Sequence, residues 1–300
     1  MRSILFEGPA HTYLPEIPAY MRFLAQNFPD VRAYNAGEVQ DYTPQDFDVM
    51  WRFMGLDPLA RGRYVVHEYN SLSAGLVPHA KNFVKYMLNG YPDRRVFLNK
   101  MVRTGFPFRD SSKIPYAYRD MGIASKFFEV VPKPEYDFVY AGSVHRGPEV
   151  LQMLAHFATT LKNASLLVIG AVNSDVLEHY KGASNITFAG RVHYTEVADW
   201  IAKGRYGLNL VPDQYPYNRQ TATKVLEYCA LKLPIVSMKY RWMEHFVAQK
   251  DARVFWLSHD YSNLTMKNVE SFAFQIPDVT NRRWRDVIRE SGVFDFLKTL

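Results

Sequence analysis

The stretch that decides the fold of this chain is Thr223-Lys224-Val225-Leu226-Glu227-Tyr228-Cys229-Ala230-Leu231-Lys232-Leu233-Pro234-Ile235-Val236. Apolar residues recur through its first part at helical spacing, which predicts a helix from about Thr223 to Leu231. A tight turn and the β-branched start of a strand follow this helix. Thr221 or Thr223 is predicted to cap it, because a short hydroxyl side chain can accept from the first N–H groups.

Two charged side chains lie near the start of this predicted helix. Glu227 lies one turn into this helix, on the same side as Thr223. Lys224 is the residue next to Thr223. The positive end of the helix dipole and the lysine favour a diphosphate, and the carboxylate can accept from ribose hydroxyls. The pattern therefore suits a sugar nucleotide.

The length and composition favour two globular domains. The chain has 300 residues, of which 48% are hydrophobic and 22% charged. Its longest apolar runs, such as 165–170, are strand-sized and too short to span a bilayer. The first seven residues lack the apolar segment of a signal peptide, and the single cysteine, Cys229, excludes an internal disulfide. We therefore expect a cytoplasmic protein.

Positive charge is concentrated between Arg61 and Arg119, a stretch that contains eleven Lys and Arg residues and three Asp and Glu residues. An anionic membrane, a phosphate-bearing substrate and nucleic acid are the partners that such charge can attract. The segment Pro78–Leu88 predicts a basic amphipathic helix, which either lies in a headgroup layer or is an ordinary surface helix. No nucleic-acid motif accompanies it, so we expect no nucleic-acid partner. Peripheral contact through residues 61–119 with the inner face of a membrane is an expectation.

Predicted strands and helices alternate along the chain, which indicates α/β architecture with mainly parallel sheets. Residues 1–134 form a first domain that ends in an irregular linker, Thr104–Pro134, with a short helix around Tyr116–Met121. Residues 135–280 form a second domain, and residues 281–300 a helical segment expected to pack back toward the first. We expect two Rossmann-like, doubly wound domains facing a cleft. The predicted strands are Ser3–Glu7, Val31–Tyr34, Asp48–Phe53, Arg63–His67, Arg95–Asn99, Tyr136–Ala141, Leu166–Ile169, Asn185–Phe188, Tyr206–Leu210 and Ile235–Ser237.

The second half resembles the C-terminal domain of GT-B-fold glycosyltransferases of the GT4-like group. Five landmarks carry the resemblance, in the family's order and at its usual spacing, over about 110 residues. They are Phe138–Ser143 with Arg146-Gly147, Leu166–Gly170, Ile186–Val192, Tyr206–Pro212, and Thr223–Tyr228 through Pro234–Val236. The first half matches more loosely, at Phe6–Pro9 and His67–Asn70.

This resemblance implies transfer of a sugar from a nucleotide-activated donor, a UDP- or GDP-sugar, to a glycan or lipid-linked acceptor, as in polysaccharide biosynthesis. The family generally needs no metal and no cofactor, because cationic side chains and helix-start N–H groups neutralise the leaving diphosphate. Transfer with retention is the expectation. The candidate donor-binding residues are Arg146, Gly190, Arg191, Val192, Tyr215, Asn218, Arg219, Thr223, Lys224 and Glu227.

One position departs from the family pattern. Retaining members usually carry a second glutamate eight residues before the one matching Glu227, and here that position is Arg219, with Asp213 the nearest upstream carboxylate of the loop. An arginine there can pair with a diphosphate or with an acidic sugar.

The candidate catalytic residues are in the first half: His11, His67 and Glu68. His11 follows the first strand and can act as a base on the acceptor, and the resemblance places His67 near the donor sugar. Glu68 can be the base or cap the following turn. Alternatives stay open: an inverting enzyme with His11 or Glu68 as base, a sugar-nucleotide epimerase, or a non-catalytic partner in glycan assembly.

Overall fold

A computed structural model describes residues 1–9, 13–108, 113–144 and 147–300. The chain divides into two compact units. The first unit comprises Met1–Gly122, Arg219–Thr221 and Arg282–Leu300, and the second comprises Ile123–Asn218 and Ala222–Asn281.

The described residues form two six-stranded sheets, one in each unit. The strands of the first, β1 to β6, are Arg2–Glu7, Val31–Asn35, Val49–Phe53, Tyr64–Tyr69, Arg94–Phe97 and Tyr116–Tyr118. Those of the second, β7 to β12, are Tyr136–Ala141, Leu166–Ile169, Ile186–Gly190, Gly204–Asn209, Ile235–Ser237 and Phe255–Trp256.

The α-helices of the described residues connect and cover these strands. In chain order, α1 to α10 are Glu16–Asn27, Pro78–Leu88, Lys100–Arg103, Pro148–Thr159, Ser174–Tyr180, Val197–Ile201, Thr223–Ala230, Arg241–Gln249, Met266–Glu270 and Trp284–Ser291. In the part of the chain that the structure describes, no helix has both the length and the apolar character needed to cross a bilayer.

The sheet of the first unit has the strand order β2-β1-β3-β4-β5-β6, and every neighbouring pair is parallel. The chain winds outward from β1 in one direction to β2 and in the other to β3. The carboxyl ends of β1 and β3 therefore form the point of reversal at which open α/β sheets bind ligands.

The sheet of the second unit has the order β12-β11-β10-β7-β8-β9, again with every pair parallel. Numbered within the unit, this is the 3-2-1-4-5-6 order of dinucleotide-binding domains, and its point of reversal lies between β7 and β10. The prediction of two Rossmann-like, doubly wound sheets is confirmed.

The core of the first unit includes residues from both ends of the chain. Helix α10 packs on α1. The ring of Phe294 lies 5.1 Å from that of Tyr20 and 5.1 Å from that of Trp51, which are both fully buried. Aromatic pairs at this separation add to the free energy of folding beyond the area that they bury.

The secondary structure departs from the sequence prediction at several elements. The short helix predicted around Tyr116–Met121 is wrong, because Tyr116–Tyr118 is the edge strand β6. Its residues alternate exposed, buried and exposed, as in a strand with one face on a core. In addition, α3, α8, β12 and α9 had no counterpart in the prediction.

Candidate functional site

Helix α7 starts at the carboxyl edge of the sheet in the second unit, after the loop that follows β10. Its N-cap is Ala222, and no side chain of the described residues caps it, so the prediction of a Thr221 or Thr223 cap is wrong. The Thr221 hydroxyl instead donates to Asp120 Oδ1 at 2.6 Å, within the first unit. The first-turn N–H groups of α7 therefore form a positive helix end without a side-chain partner.

Glu227 lies one turn into α7 and is 1% exposed. Its Oε2 atom accepts from Lys224 Nζ at 2.5 Å, and its buried Oε1 atom has no hydrogen-bond partner in the described structure. Burial raises the pKa of Glu227 despite the opposing effect of Lys224. A buried carboxylate oxygen without a donor is energetically costly, so this atom can take a hydroxyl donor from a ligand.

The loop between β10 and α7 carries a second buried acceptor. Asn218 Nδ2 donates to Asp213 Oδ1 at 2.8 Å, and the Arg241 N–H donates to the same oxygen at 3.4 Å. Asn218 Oδ1 is buried and has no partner among the residues that the structure describes. Tyr215 of this loop is half-buried. Asp213, the nearest upstream carboxylate of the loop, therefore holds the loop between β10 and α7 through these hydrogen bonds. It also fixes the orientation of the Asn218 amide.

The ends of β7 and β8 approach each other closely. Gly170 has φ +144°, and a Cβ atom there would lie 2.0 Å from the carbonyl oxygen of Gly142. The Gly170 N–H also donates to the carbonyl of Gly190, which ends β9, at 2.8 Å. Glycine at position 170 is therefore needed for these three strand ends to meet.

The candidate donor-binding residues Gly190, Arg191 and Val192 lie at the end of β9, and Gly190 has φ +70°. Arg191 is exposed and Val192 half-buried. Thr223 is the first residue of α7. The structure thus places these residues, with Lys224 and Glu227, on strand ends and helix starts of one unit, and their contacts with a donor stay predictions.

Arg146 and His11 fall outside the described residues. Arg219 belongs to the first unit, and its carbonyl accepts from Asn99 Nδ2 at 3.4 Å.

A cavity of about 390 Å³ lies at the reversal point of the first unit's sheet. It is lined by Glu7, Gly8, Pro9, Arg52, Phe53, Met54, Gly55, Leu56 and Asp57. These residues come from the carboxyl ends of β1 and β3, so the cavity occupies the position where such sheets bind ligands.

Charged side chains form a continuous chain of ion pairs along this cavity. Arg52 Nε lies 2.7 Å from Glu7 Oε2, and Arg52 Nη1 lies 2.8 Å from Asp57 Oδ2. The same Asp57 oxygen lies 2.9 Å from Nε2 of His67. Sheet register explains the arrangement, because Glu7, Arg52 and His67 occupy paired positions on β1, β3 and β4.

His67 is fully buried beside this chain. Burial lowers the pKa of His67 although Asp57 opposes that effect, so the ring is neutral near pH 7 and donates through Nε2. Burial alone would raise the pKa of Asp57, but its hydrogen bond with His67 and the charge of Arg52 hold that pKa below its ordinary value. His67 therefore positions Asp57, whose side chain remains 14% exposed at the cavity.

Glu68 follows His67 on β4 and faces the opposite side of the sheet, as alternation requires. Its carboxylate accepts from Trp51 Nε1 at 2.6 Å, from the Tyr20 hydroxyl at 3.1 Å and from Arg119. Arg119 also contacts Glu16 and is fully buried. Burial raises the pKa of Glu68, with Arg119 opposing. Glu68 is therefore committed to the core between the sheet and α1.

The sequence analysis missed Glu7, Arg52 and Asp57. The available signal was that charged residues end or follow apolar strands, at Glu7 after Ile4-Leu5-Phe6 and at Arg52 within Val49–Phe53. Parallel strands bring such positions together at one edge.

The described residues include no group of three or more His, Cys, Asp and Glu side chains that could hold a metal ion.

No protein-family model and no curated protein sequence matches this chain. Solved structures do resemble it. Anabaena HepE in complex with UDP-glucose has a TM-score of 0.67 at 11% identity, with 100% of both chains covered. Sucrose-phosphate synthase from Thermosynechococcus elongatus has a TM-score of 0.59 at 11% identity, with 100% of this chain and 97% of that one covered.

A third structure is AviGT4, a glycosyltransferase involved in avilamycin A biosynthesis. Its TM-score is 0.57 at 12% identity, with 99% of this chain and 95% of that one covered. At these identities the likeness establishes architecture alone. With the two parallel sheets described above, it shows that this chain has the GT-B fold.

Proposed function

We propose that this protein is a glycosyltransferase that uses a nucleotide-sugar donor, with a UDP- or GDP-sugar bound at the carboxyl edge of the second unit's sheet. The fold supports the proposal, because similar structures include HepE in complex with UDP-glucose. The single observation that carries it is the buried Oε1 atom of Glu227, which has no partner in the described structure and lies one turn into α7.

The ribose and the diphosphate account for the groups at the start of α7. A ribose hydroxyl donates to Glu227 Oε1 and removes the cost of a buried acceptor without a donor. The positive N-terminus of the helix and the ammonium group of Lys224 then attract the negatively charged diphosphate. These groups supply the neutralisation that the leaving nucleotide requires, so we propose transfer without a metal ion.

The acceptor is a glycan or a lipid-linked glycan, and we assign it to the cavity of the first unit. Glu7, Arg52 and Asp57 give that cavity both hydrogen-bond donors and acceptors, which suits a molecule with many hydroxyl groups. Transfer with retention is the favoured outcome. The alternative of Glu68 as an inverting base is less compatible with a carboxylate that already accepts from three core side chains.

Thermal unfolding with a panel of nucleotides tests the donor site. UDP, GDP, CMP and ADP are added separately in the presence of a chelator. A ligand at about 100 times its dissociation constant adds about 2.7 kcal/mol to the free energy of unfolding. We expect one nucleoside diphosphate to raise the midpoint, and Glu227→Ala to abolish that increase. Glu178→Ala, at an exposed glutamate of α5, is the matched control.

The outcomes separate the alternatives. Absence of a shift with every nucleotide would favour a non-catalytic protein. Isomerisation of the donor sugar without an acceptor would identify an epimerase. Where transfer occurs, NMR of the new anomeric centre distinguishes retention from inversion, and a rate restored only by added metal contradicts the metal-free proposal.

A further inference from the structure

Apolar side chains are concentrated on α2 and the turn that precedes it. Leu76 is fully exposed, and the others are between 47% and 61% exposed. These residues, which we call the α2 surface, are Leu76, Val77, Phe83, Val84, Met87 and Leu88. A contiguous apolar surface of this kind marks an interaction site in a folded protein.

Helix α2 contacts the first unit through Asn82 and through the ring of Tyr86, which lies 5.7 Å from that of Phe108. All eleven of its residues are described, and Asn82 alone among them is buried. The Asn82 side chain accepts from the Ser73 N–H at 2.9 Å and donates to the Gly105 carbonyl at 3.4 Å. Most helices of globular proteins gain their stability by burying an apolar face. The side chains of the α2 surface are exposed to water instead, and packing among the described residues of the unit does not account for them.

A groove of about 500 Å³ runs along α2. Leu56, Val77, Ala80 and Val84 line it, together with Lys81 and Lys85. Long lysine side chains can cover apolar surface with their methylene groups while the ammonium group stays at a polar boundary. The groove therefore combines an apolar floor with positive charge at its edge.

The stretch of sequence that contains this surface is mainly basic. Residues 71–108 contain six Lys and Arg, and Asp93 is their single acidic residue. The Asp93 carboxylate already accepts from the Val65 N–H at 2.7 Å. The partner of this surface is consequently anionic as well as apolar. Nucleic acid supplies the charge but no apolar phase for six aliphatic and aromatic side chains.

We propose that the α2 surface docks this protein on an anionic lipid bilayer. The apolar side chains enter the boundary between headgroups and acyl chains, and Lys81 and Lys85 pair with the anionic headgroups. Leu56 lines both the groove and the cavity at the reversal point, so docking brings the mouth of that cavity to the membrane. A lipid-linked acceptor would then enter the cavity from the bilayer, and this last step rests on the proposed function.

Flotation of the full chain with vesicles tests the proposal. The vesicles are phosphatidylcholine alone or phosphatidylcholine with phosphatidylglycerol, at low and high salt. We expect flotation with the anionic vesicles. Two double variants probe the surface, Lys81→Glu with Lys85→Glu and Leu76→Ser with Met87→Ser. Each is expected to weaken vesicle binding about tenfold or more, because each lysine near an anionic surface contributes about 1 kcal/mol and buried apolar groups contribute similarly.

Matched controls come from the second unit. Lys162→Glu replaces an exposed lysine, and Leu177→Ser replaces a leucine that is 42% exposed on α5, and both should float as the wild type does. Absence of flotation by the wild type, or equal flotation by the α2 variants, would overturn the proposal. A dimer in sedimentation that Leu76→Ser with Met87→Ser abolishes would overturn it too, by assigning the surface to a second copy of the chain. The nucleotide-induced thermal shift is measured on the same variants, so failure of docking and failure of the donor site are distinguishable.

Discussion

The Nζ atom of Lys224 lies 2.5 Å from Oε2 of Glu227, so the lysine pairs with one oxygen of a carboxylate whose other oxygen is buried without a partner in the described structure. Lys224 is itself 31% exposed, which leaves its ammonium group accessible from the start of α7. The pair therefore offers a cation and an acceptor to the same ligand.

Lys224→Met is expected to weaken UDP binding about tenfold or more, because hydrogen bonds to charged groups contribute about 1.5–3 kcal/mol. Uridine, which lacks the diphosphate, should lose much less affinity. Isothermal titration with both ligands measures the difference. The control is Lys181→Met, since Lys181 and Glu178 have the same three-residue spacing on an exposed helix face. Equal losses for UDP and uridine would contradict a phosphate contact.

Gly170→Ala should lower the free energy of unfolding by about 1–3 kcal/mol, the usual cost of a strained backbone conformation. The added Cβ would lie 2.0 Å from the Gly142 carbonyl, so the ends of β7 and β8 must separate. Denaturant unfolding measures the loss. Gly182→Ala is the control, since a Cβ atom there meets no atom within 4 Å. If the two variants were equally stable, the ends of β7 and β8 would be able to separate without a cost in free energy.

Arg119→Met should destabilise the protein by about 3–5 kcal/mol, because it leaves the buried carboxylates of Glu68 and Glu16 without their cation. Arg205→Met removes an exposed pair with Glu270 and should cost at most about 1 kcal/mol. Chemical denaturation of both variants gives the comparison. If the two variants lost similar free energies of unfolding, the ion pairs of Arg119 with Glu68 and Glu16 would stabilise the protein no more than an exposed pair does.

The contribution of His67 to the stability of the protein should be lost as the pH drops below about 6.5. Its pKa in the folded protein lies below the ordinary value of 6.5, so in this range the unfolded chain binds a proton that the folded protein does not. The contribution is therefore present above pH 6.5 and lost as the pH falls toward the folded pKa.

Thermal unfolding between pH 8 and pH 5 measures this slope, in a range where the Asp57 carboxyl stays ionised in both states. His67→Gln, which keeps a donor for Asp57, should flatten the slope. The control His259→Gln, at an exposed histidine, should leave it unchanged. An unaltered slope in His67→Gln would mean that another group titrates.

The fold could largely be predicted because apolar strands and amphipathic helices alternate clearly along the chain. The predicted strand Tyr136–Ala141 and helix Pro78–Leu88 have the observed bounds. The edge strand Tyr116–Tyr118 was missed because three residues carry too little periodicity to distinguish it from a turn of helix.

The site was predictable only where one local segment carries it. Lys224 and Glu227 are three residues apart on one helix, so their spacing brings them together. The chain of Glu7, Arg52, Asp57 and His67 draws on three strands and on the loop that follows β3, and sheet register brings its three strand residues together. Likewise, Thr221 was expected to cap α7 because the sequence does not reveal that Asp120 takes its hydroxyl.

Because Arg282–Leu300 belong to the first unit, part of that unit is synthesised after the second unit. Phe294 packs on Tyr20 and Trp51, so the core of the first unit is completed by a residue that is synthesised after the second unit. Domains generally fold in order from the N-terminus as the chain emerges. Here the second unit is fully synthesised while the first still lacks α10 and the aromatic residue that follows it. A nascent chain halted before Arg282 would lack α10 and Phe294, so the face of α1 that packs on them would be open to water.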